Sequence, residues 1–236
     1  MKTGTSAIRV VVFDLDGTLI DSAPDLHAAA NRLMSELSLP TFDLATITSF
    51  IGNGLAKLVE RCLAGAGEAG RGVDPDRAFE RYKALYAEGA SRLTRPYPGV
   101  VESLAALSEA GCRLGIVTNK SEGLAHSTLA DLGLAPHFEV VIGGDTLHTR
   151  KPEPEGLLLA VDRLGGMKAD ALFVGDSEVD AETAARAGLR FALFAGGYRK
   201  SPVSDMGHWH AFDDMRDLLR DRILPDVVAM RSLQAG

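Results

Sequence analysis

Asp14 and Asp16 stand two residues apart in Asp14-Leu15-Asp16-Gly17-Thr18-Leu19, directly after the apolar run Ile8–Phe13. Carboxylates so placed at a strand end point the same way, and they repel unless a cation lies between them or one is protonated. Gly17 lets the backbone turn sharply and approach a ligand closely. A plain reading, a strand followed by an Asp-Gly turn, accounts for the turn but not for the rest of the pattern. Further along are Thr118 in Ile116-Val117-Thr118-Asn119, Lys151 in Arg150-Lys151-Pro152, and Asp176 with Asp180 in Gly175-Asp176-Ser177-Glu178-Val179-Asp180. Carboxylates act as nucleophiles in phosphoryl transfer. An anion attacking an anionic phosphate needs its charge cancelled, and Mg²⁺, bound through a few carboxylates, does that. A lysine ammonium adds fixed positive charge, and a hydroxyl with nearby backbone N–H groups can hold phosphate oxygens.

The elements that must position these residues are legible from periodicity. Short apolar runs at Ile8–Phe13, Leu114–Val117, Val140–Ile142, Ala171–Val174 and Phe191–Phe194 read as strands buried on both faces. Helical patterns alternate with them, several closing at a glycine: Gly111, Gly133 and Gly188. The alternation predicts an α/β fold with a doubly wound parallel sheet, which binds ligands beyond the carboxyl ends of its strands. From Ser22 to about Arg95 the pattern is helical without a convincing strand. Ser22-Ala23-Pro24-Asp25 reads as a capping box opening a first helix; a second starts after Gly54 and a third at Asp74-Pro75. The division is then a catalytic core over 1–20 and 95–236 with an inserted helical cap domain over 21–94.

Composition narrows the function. Among 236 residues the net charge is −7, which argues against a nucleic-acid partner. No apolar run is long enough to span a membrane, and Met1–Ser6 is too short and polar for a signal peptide. Cys62 and Cys112 lie far apart in apolar stretches, as buried free thiols of a cytoplasmic protein do. His208-Trp209-His210 reads as a surface loop rather than a metal pair, and Gly65–Gly72 as a flexible turn between cap helices.

Asp14–Leu19 followed by a helical insert, then Thr118, Lys151 and Gly175–Asp180 in that order, resembles the haloacid-dehalogenase-like hydrolase superfamily over essentially the whole chain. Asp21–Pro24, Phe50–Leu55 and Val141–Asp145 bring the resemblance closest to phosphoglycolate phosphatases. The resemblance implies Mg²⁺ held by Asp14, Asp176 and the backbone carbonyl of Asp16. Asp14 is then the nucleophile and Asp16 the general acid and base. Thr118, Asn119 and Lys151 bind phosphate, and Asp180 orients the metal's ligands from behind. A phosphomutase, a sugar-phosphate phosphatase such as one acting on N-acetylmuramic acid 6-phosphate, a haloacid dehalogenase and a silent binding module are the alternatives. Asp16 and Asp180 count against the dehalogenase. The expected partner is a small phosphorylated metabolite, and the chain a monomer or homodimer. For phosphoglycolate the substrate's carboxylate needs donors from the cap; Gly52-Asn53-Gly54 and Lys57, in the next helix's first turn, are the candidates.

Overall fold

The computed structural model describes residues 7–89 and 91–223, so Met1–Ser6 and the C-terminal end lie outside the described residues. At its centre, β1 (Val10–Phe13) is buried along its whole length. On one side it pairs in parallel with β4 (Arg113–Val117), which pairs with β5 (Val140–Ile142). On the other side it pairs with β6 (Ala171–Gly175), followed by β7 (Arg190–Phe194) and β8 (His210–Phe212). The six-stranded order β5-β4-β1-β6-β7-β8 reverses direction between β4 and β6, with β1 at the switch point. Helices α6 (Val100–Glu109), α7 (Glu122–Asp131), α8 (Glu155–Arg163) and α9 (Glu178–Ala187) link these strands. Val11, Phe13 and Leu114 point into one core layer, while Val10, Val12 and Phe173 pack into the other, as strand alternation requires.

Between β1 and β4 the chain forms α1 (Ala23–Glu36), α2 (Leu44–Phe50), α3 (Leu55–Gly65), the single turn α4 (Glu68–Arg71) and α5 (Pro75–Gly89). These helices bury a further hydrophobic cluster around Leu33, Met34, Leu58, Tyr82 and Tyr86, which Tyr198 joins from the loop after β7. Where the chain leaves and re-enters the sheet region, β2 (Ile20–Asp21) pairs antiparallel with β3 (Arg95–Pro96). Among the described residues no helix is long and apolar enough to cross a membrane. The chain ends, as described, in α10 (Met215–Leu218) and a further turn to Ile223.

Several expectations change. Ser22 does sit at the start of α1, but its hydroxyl makes no cap and its backbone is helical there. The acidic partner of the supposed box, Asp25, is drawn off instead. Its carboxylate accepts from the Leu93 and Thr94 N–H groups (3.0 and 2.8 Å) and from the Thr94 hydroxyl (2.5 Å), tying α1 to the returning chain. A capping box exists elsewhere, formed by Ser177 and Asp180 at the start of α9. Gly65–Gly72 is not a loose turn: it contains α4, and Gly70 is buried against the Leu63 carbonyl with no room for a side chain. His210, read as a surface loop, belongs to the edge strand β8, whose three residues are too few to show a period in sequence.

Candidate active site

β1, β4 and β6 all end at one crevice, and their ends carry the residues singled out by sequence. Asp14 follows β1 and donates its backbone N–H to the Val174 carbonyl of β6 (2.8 Å). The next residues must turn at once, and Gly17 does so with φ of 92°. A Cβ at Gly17 would stand 2.6 Å from Asp176 Oδ2 and 2.7 Å from the Tyr198 ring, so the position demands glycine twice over.

Asp14, Asp176 and Asp180 are all buried, with carboxylate oxygens within 4.8 Å of one another. Among the described residues one cation answers them directly: Lys151 Nζ lies 2.8 Å from Asp14 Oδ1 and 2.6 Å from Asp180 Oδ1. Asp180 is fully committed, because its Oδ2 accepts from the Asp176 N–H and from the Ser177 N–H and hydroxyl. Asp176 accepts from the Thr18 hydroxyl (2.7 Å) and the Tyr198 N–H (2.6 Å). Asp14 Oδ1 is buried and, its contact with Lys151 aside, receives no hydrogen bond among the described residues.

Three buried carboxylates with one ammonium leave negative charge uncompensated. Burial raises the Asp14 pKa to about 7, Lys151 opposing this and Asp180 adding to it. Burial also pushes Asp176 well above the usual carboxylate range, with Asp180 and Asp14 contributing. For Lys151 burial acts to lower the pKa, but Asp14 and Asp180 outweigh it and keep the ammonium charged. Such a cluster, with an oxygen short of hydrogen bonds, fits a divalent cation.

Thr118, at the end of β4, is buried at the same crevice, where its Oγ1 accepts from the Lys120 N–H (3.2 Å). The Asn119 side chain donates to the Lys151 carbonyl (3.2 Å), bracing the lysine from behind. Asp16 lines the cavity beside Asp14. Thus Asp14, Asp16, Thr118, Asn119, Lys151 and Asp176 all line one cavity of about 350 Å³, with Asp180 packed behind.

Lys57 is not brought there. It is exposed and paired with Glu60 (2.7 Å), because α3 turns Leu55 and Leu58 toward the cavity instead. The roof comes from Leu26, from Ile51–Leu55 and from Leu58, among which Asn53 has the sole polar side chain. Arg61 donates to the Phe50 carbonyl (2.5 Å) and to Asn53 Oδ1 (2.7 Å), fixing that loop, while the Asn53 amide nitrogen makes no hydrogen bond among the described residues.

Sequence reasoning passed over Lys120, Tyr198 and Lys200. Lys120 immediately follows Thr118-Asn119, a signal of position alone, and its partners come from distant segments. The Tyr198 hydroxyl accepts from the Ser22 and Ala23 N–H groups (2.8 and 2.9 Å) and donates to Asp21 (2.8 Å), closing the loop after β7 onto the start of α1. Lys200 lines the cavity from the same loop.

Comparison with known proteins agrees with this geometry. A sequence model for haloacid dehalogenase-like hydrolases matches residues 11–194. A protein named phosphoglycolate phosphatase from Cereibacter sphaeroides is 45% identical over 213 residues, covering 89% of this chain and 97% of its own. Phosphoglycolate phosphatase 1 of Pseudomonas aeruginosa is 38% identical over 227 residues, covering 92% of this chain and 83% of its own. A crystal structure of a predicted phosphoglycolate phosphatase from Haemophilus somnus superimposes with a TM-score of 0.85 at 30% identity, covering 92% of this chain and 99% of that one. Sheet order, the strand-end carboxylates and these likenesses agree, and the chain belongs to the haloacid dehalogenase-like hydrolase family.

Proposed function

We infer that the protein is a Mg²⁺-dependent phosphomonoesterase that hydrolyses 2-phosphoglycolate by way of a phosphoryl group carried on Asp14. The observation that carries this reading is the buried cluster of Asp14, Asp176 and Asp180 around Lys151 at the floor of a roofed cavity. Asp14, Asp176 and the Asp16 backbone carbonyl would hold the cation, while Asp180 has no oxygen to spare and orients Asp176 and Lys151. Bound Mg²⁺ supplies the charge cancellation that lets an anionic nucleophile meet an anionic phosphate.

In the first step an Asp14 oxygen bonds to phosphorus as the ester P–O bond breaks, and the leaving oxygen takes a proton from Asp16. In the second, Asp16 accepts a proton from water, whose oxygen bonds to phosphorus as the Asp14 oxygen departs. The Lys151 ammonium, 2.8 Å from Asp14, stabilises negative charge on the transferring group. The Thr118 hydroxyl and the backbone N–H of Asn119 hold phosphate oxygens.

Residues 21–94 act as a cap domain that excludes water from this exchange. Its roof favours a small substrate. Each sugar hydroxyl buried against Leu26, Ile51, Leu55 or Leu58 without a partner costs about 1–3 kcal/mol. In 2-phosphoglycolate the one hydroxyl oxygen is esterified to phosphate, so none is left to bury, and the carboxylate can be met by Asn53 and Lys200. The test is phosphate release from 2-phosphoglycolate and a panel of sugar phosphates, with Mg²⁺ or with chelator. The expected result is Mg²⁺-dependent turnover with 2-phosphoglycolate favoured by at least about 10-fold in kcat/KM. A sugar phosphate turned over faster overturns the substrate, and full activity in chelator overturns the cation.

A further inference from the structure

Lys120 carries a buried charge that the chemistry above does not use. Its side chain is 1% exposed, and its ammonium reaches groups from separate parts of the chain. It donates to both oxygens of Asp16, at 3.0 and 3.3 Å, and to the Tyr86 hydroxyl of α5 at 2.8 Å. Among the described residues no other side chain is hydrogen-bonded to the Asp16 carboxylate. Asp16 otherwise stands at the cavity wall with its side chain 17% exposed, free to rotate toward water. Burying an ammonium is costly, so one held by partners from two other segments defines a fixed arrangement. Tyr86 is itself locked by stacking on Tyr82, 6.1 Å between ring centroids, inside the cluster of α1, α3 and α5.

We propose that Lys120 is a positioning residue that holds the Asp16 carboxylate against the leaving-group oxygen, and that Tyr86 makes this placement depend on the seating of the helical insert. The contact to both oxygens fixes the carboxylate's rotation as well as its location. A helical block shifted away from the sheet takes the Tyr86 hydroxyl with it, and the ammonium loses the partner that keeps it extended toward Asp16. Proton delivery to the leaving group is thereby tied to closure over the substrate.

This rests on the phosphatase reading with Asp16 as acid, and the test separates the two. The parameter kcat/KM reports steps through phosphoryl transfer to the enzyme, and p-nitrophenolate departs without a proton whereas an alkoxide does not. Lys120→Met should lower kcat/KM for 2-phosphoglycolate by at least about 50-fold and for p-nitrophenyl phosphate by less than about 5-fold. Tyr86→Phe, which keeps the stacked ring, should show the same selectivity at roughly 3–10-fold. Lys120→Arg should recover part of the loss on 2-phosphoglycolate. Equal losses on both substrates would mean that Lys120 binds phosphate or only supports the fold, and would overturn the proposal. So would no loss on either. Should Lys120→Met fail to fold, an unselective Tyr86→Phe is the refuting result. Failure of the underlying reading shows separately, as wild-type protein that releases no phosphate from 2-phosphoglycolate.

Discussion

Cation binding at this site should be strongly pH-dependent, and the size of the effect follows from Asp14. Without a cation its carboxyl titrates at about 7, raised from 3.8 chiefly by burial. A cation that uses this carboxylate must displace the proton. Going from about pH 8 to about pH 5.5, the deprotonated fraction falls from about 0.9 to about 0.03, so the apparent Mg²⁺ affinity should weaken by about 30-fold, or about 2 kcal/mol. Asp176 is raised as well and makes the fall steeper. The same proton sets the stability of the cation-free fold. Because the folded pKa lies above the unfolded one, the Asp14 contribution is fully present below the unfolded value of 3.8 and is lost as pH rises through about 7. Cation-free protein should therefore lose about 2 kcal/mol of stability between about pH 5.5 and pH 8, while Mg²⁺ stabilises it most at the higher pH. Thermal denaturation with and without Mg²⁺ across this range, with Mg²⁺ titrations at each pH, measures both. Asp14→Asn should remove its share of each trend. An affinity that varies less than about 3-fold over the range refutes the assignment of Asp14 as a cation ligand.

Two further predictions test other parts of the structure. Asp25→Ala removes the buried acceptor of the Leu93 and Thr94 groups and should destabilise the fold by about 2–3 kcal/mol in urea denaturation, through loosened attachment of the helical insert. Lys57→Met should leave KM for 2-phosphoglycolate within about 2-fold of wild type, since Lys57 is exposed and paired with Glu60 rather than lining the cavity; a larger rise would restore it as a carboxylate reader.

The sheet was legible because its inner strands are unbroken apolar runs: Val10–Phe13 and Ala171–Gly175 are buried at every position. β8 escaped notice because three residues at an edge, two of them partly open to solvent, have neither length nor alternation. The supposed cap at Ser22 failed for a tertiary reason. The local pattern was right in composition, but Thr94 and Leu93 compete for Asp25 from nearly seventy residues away. The same distance effect divides the site. Asp14, Thr118, Lys151 and Asp176 could be found one by one because each ends a readable strand or sits in a readable string. Lys120 could not, because what distinguishes it is a pair of partners, Asp16 and Tyr86, far from it along the chain. Lys57 erred in the opposite direction: helical periodicity placed it correctly opposite Leu55 and Leu58, yet it is that apolar face that borders the cavity.

The central claim is that the phosphoryl group passes through Asp14, and rapid acid quenching with peptide mass spectrometry tests it most directly. Asp16→Asn protein mixed with Mg²⁺ and p-nitrophenyl phosphate should accumulate one phosphoryl group on the peptide containing Asp14. The adduct should be lost on treatment with hydroxylamine, as an acyl phosphate is, because the variant keeps the nucleophile but lacks the base that activates water. Asp14→Asn should show no such adduct and no turnover. Steady hydrolysis of 2-phosphoglycolate by Asp14→Asn would contradict the account.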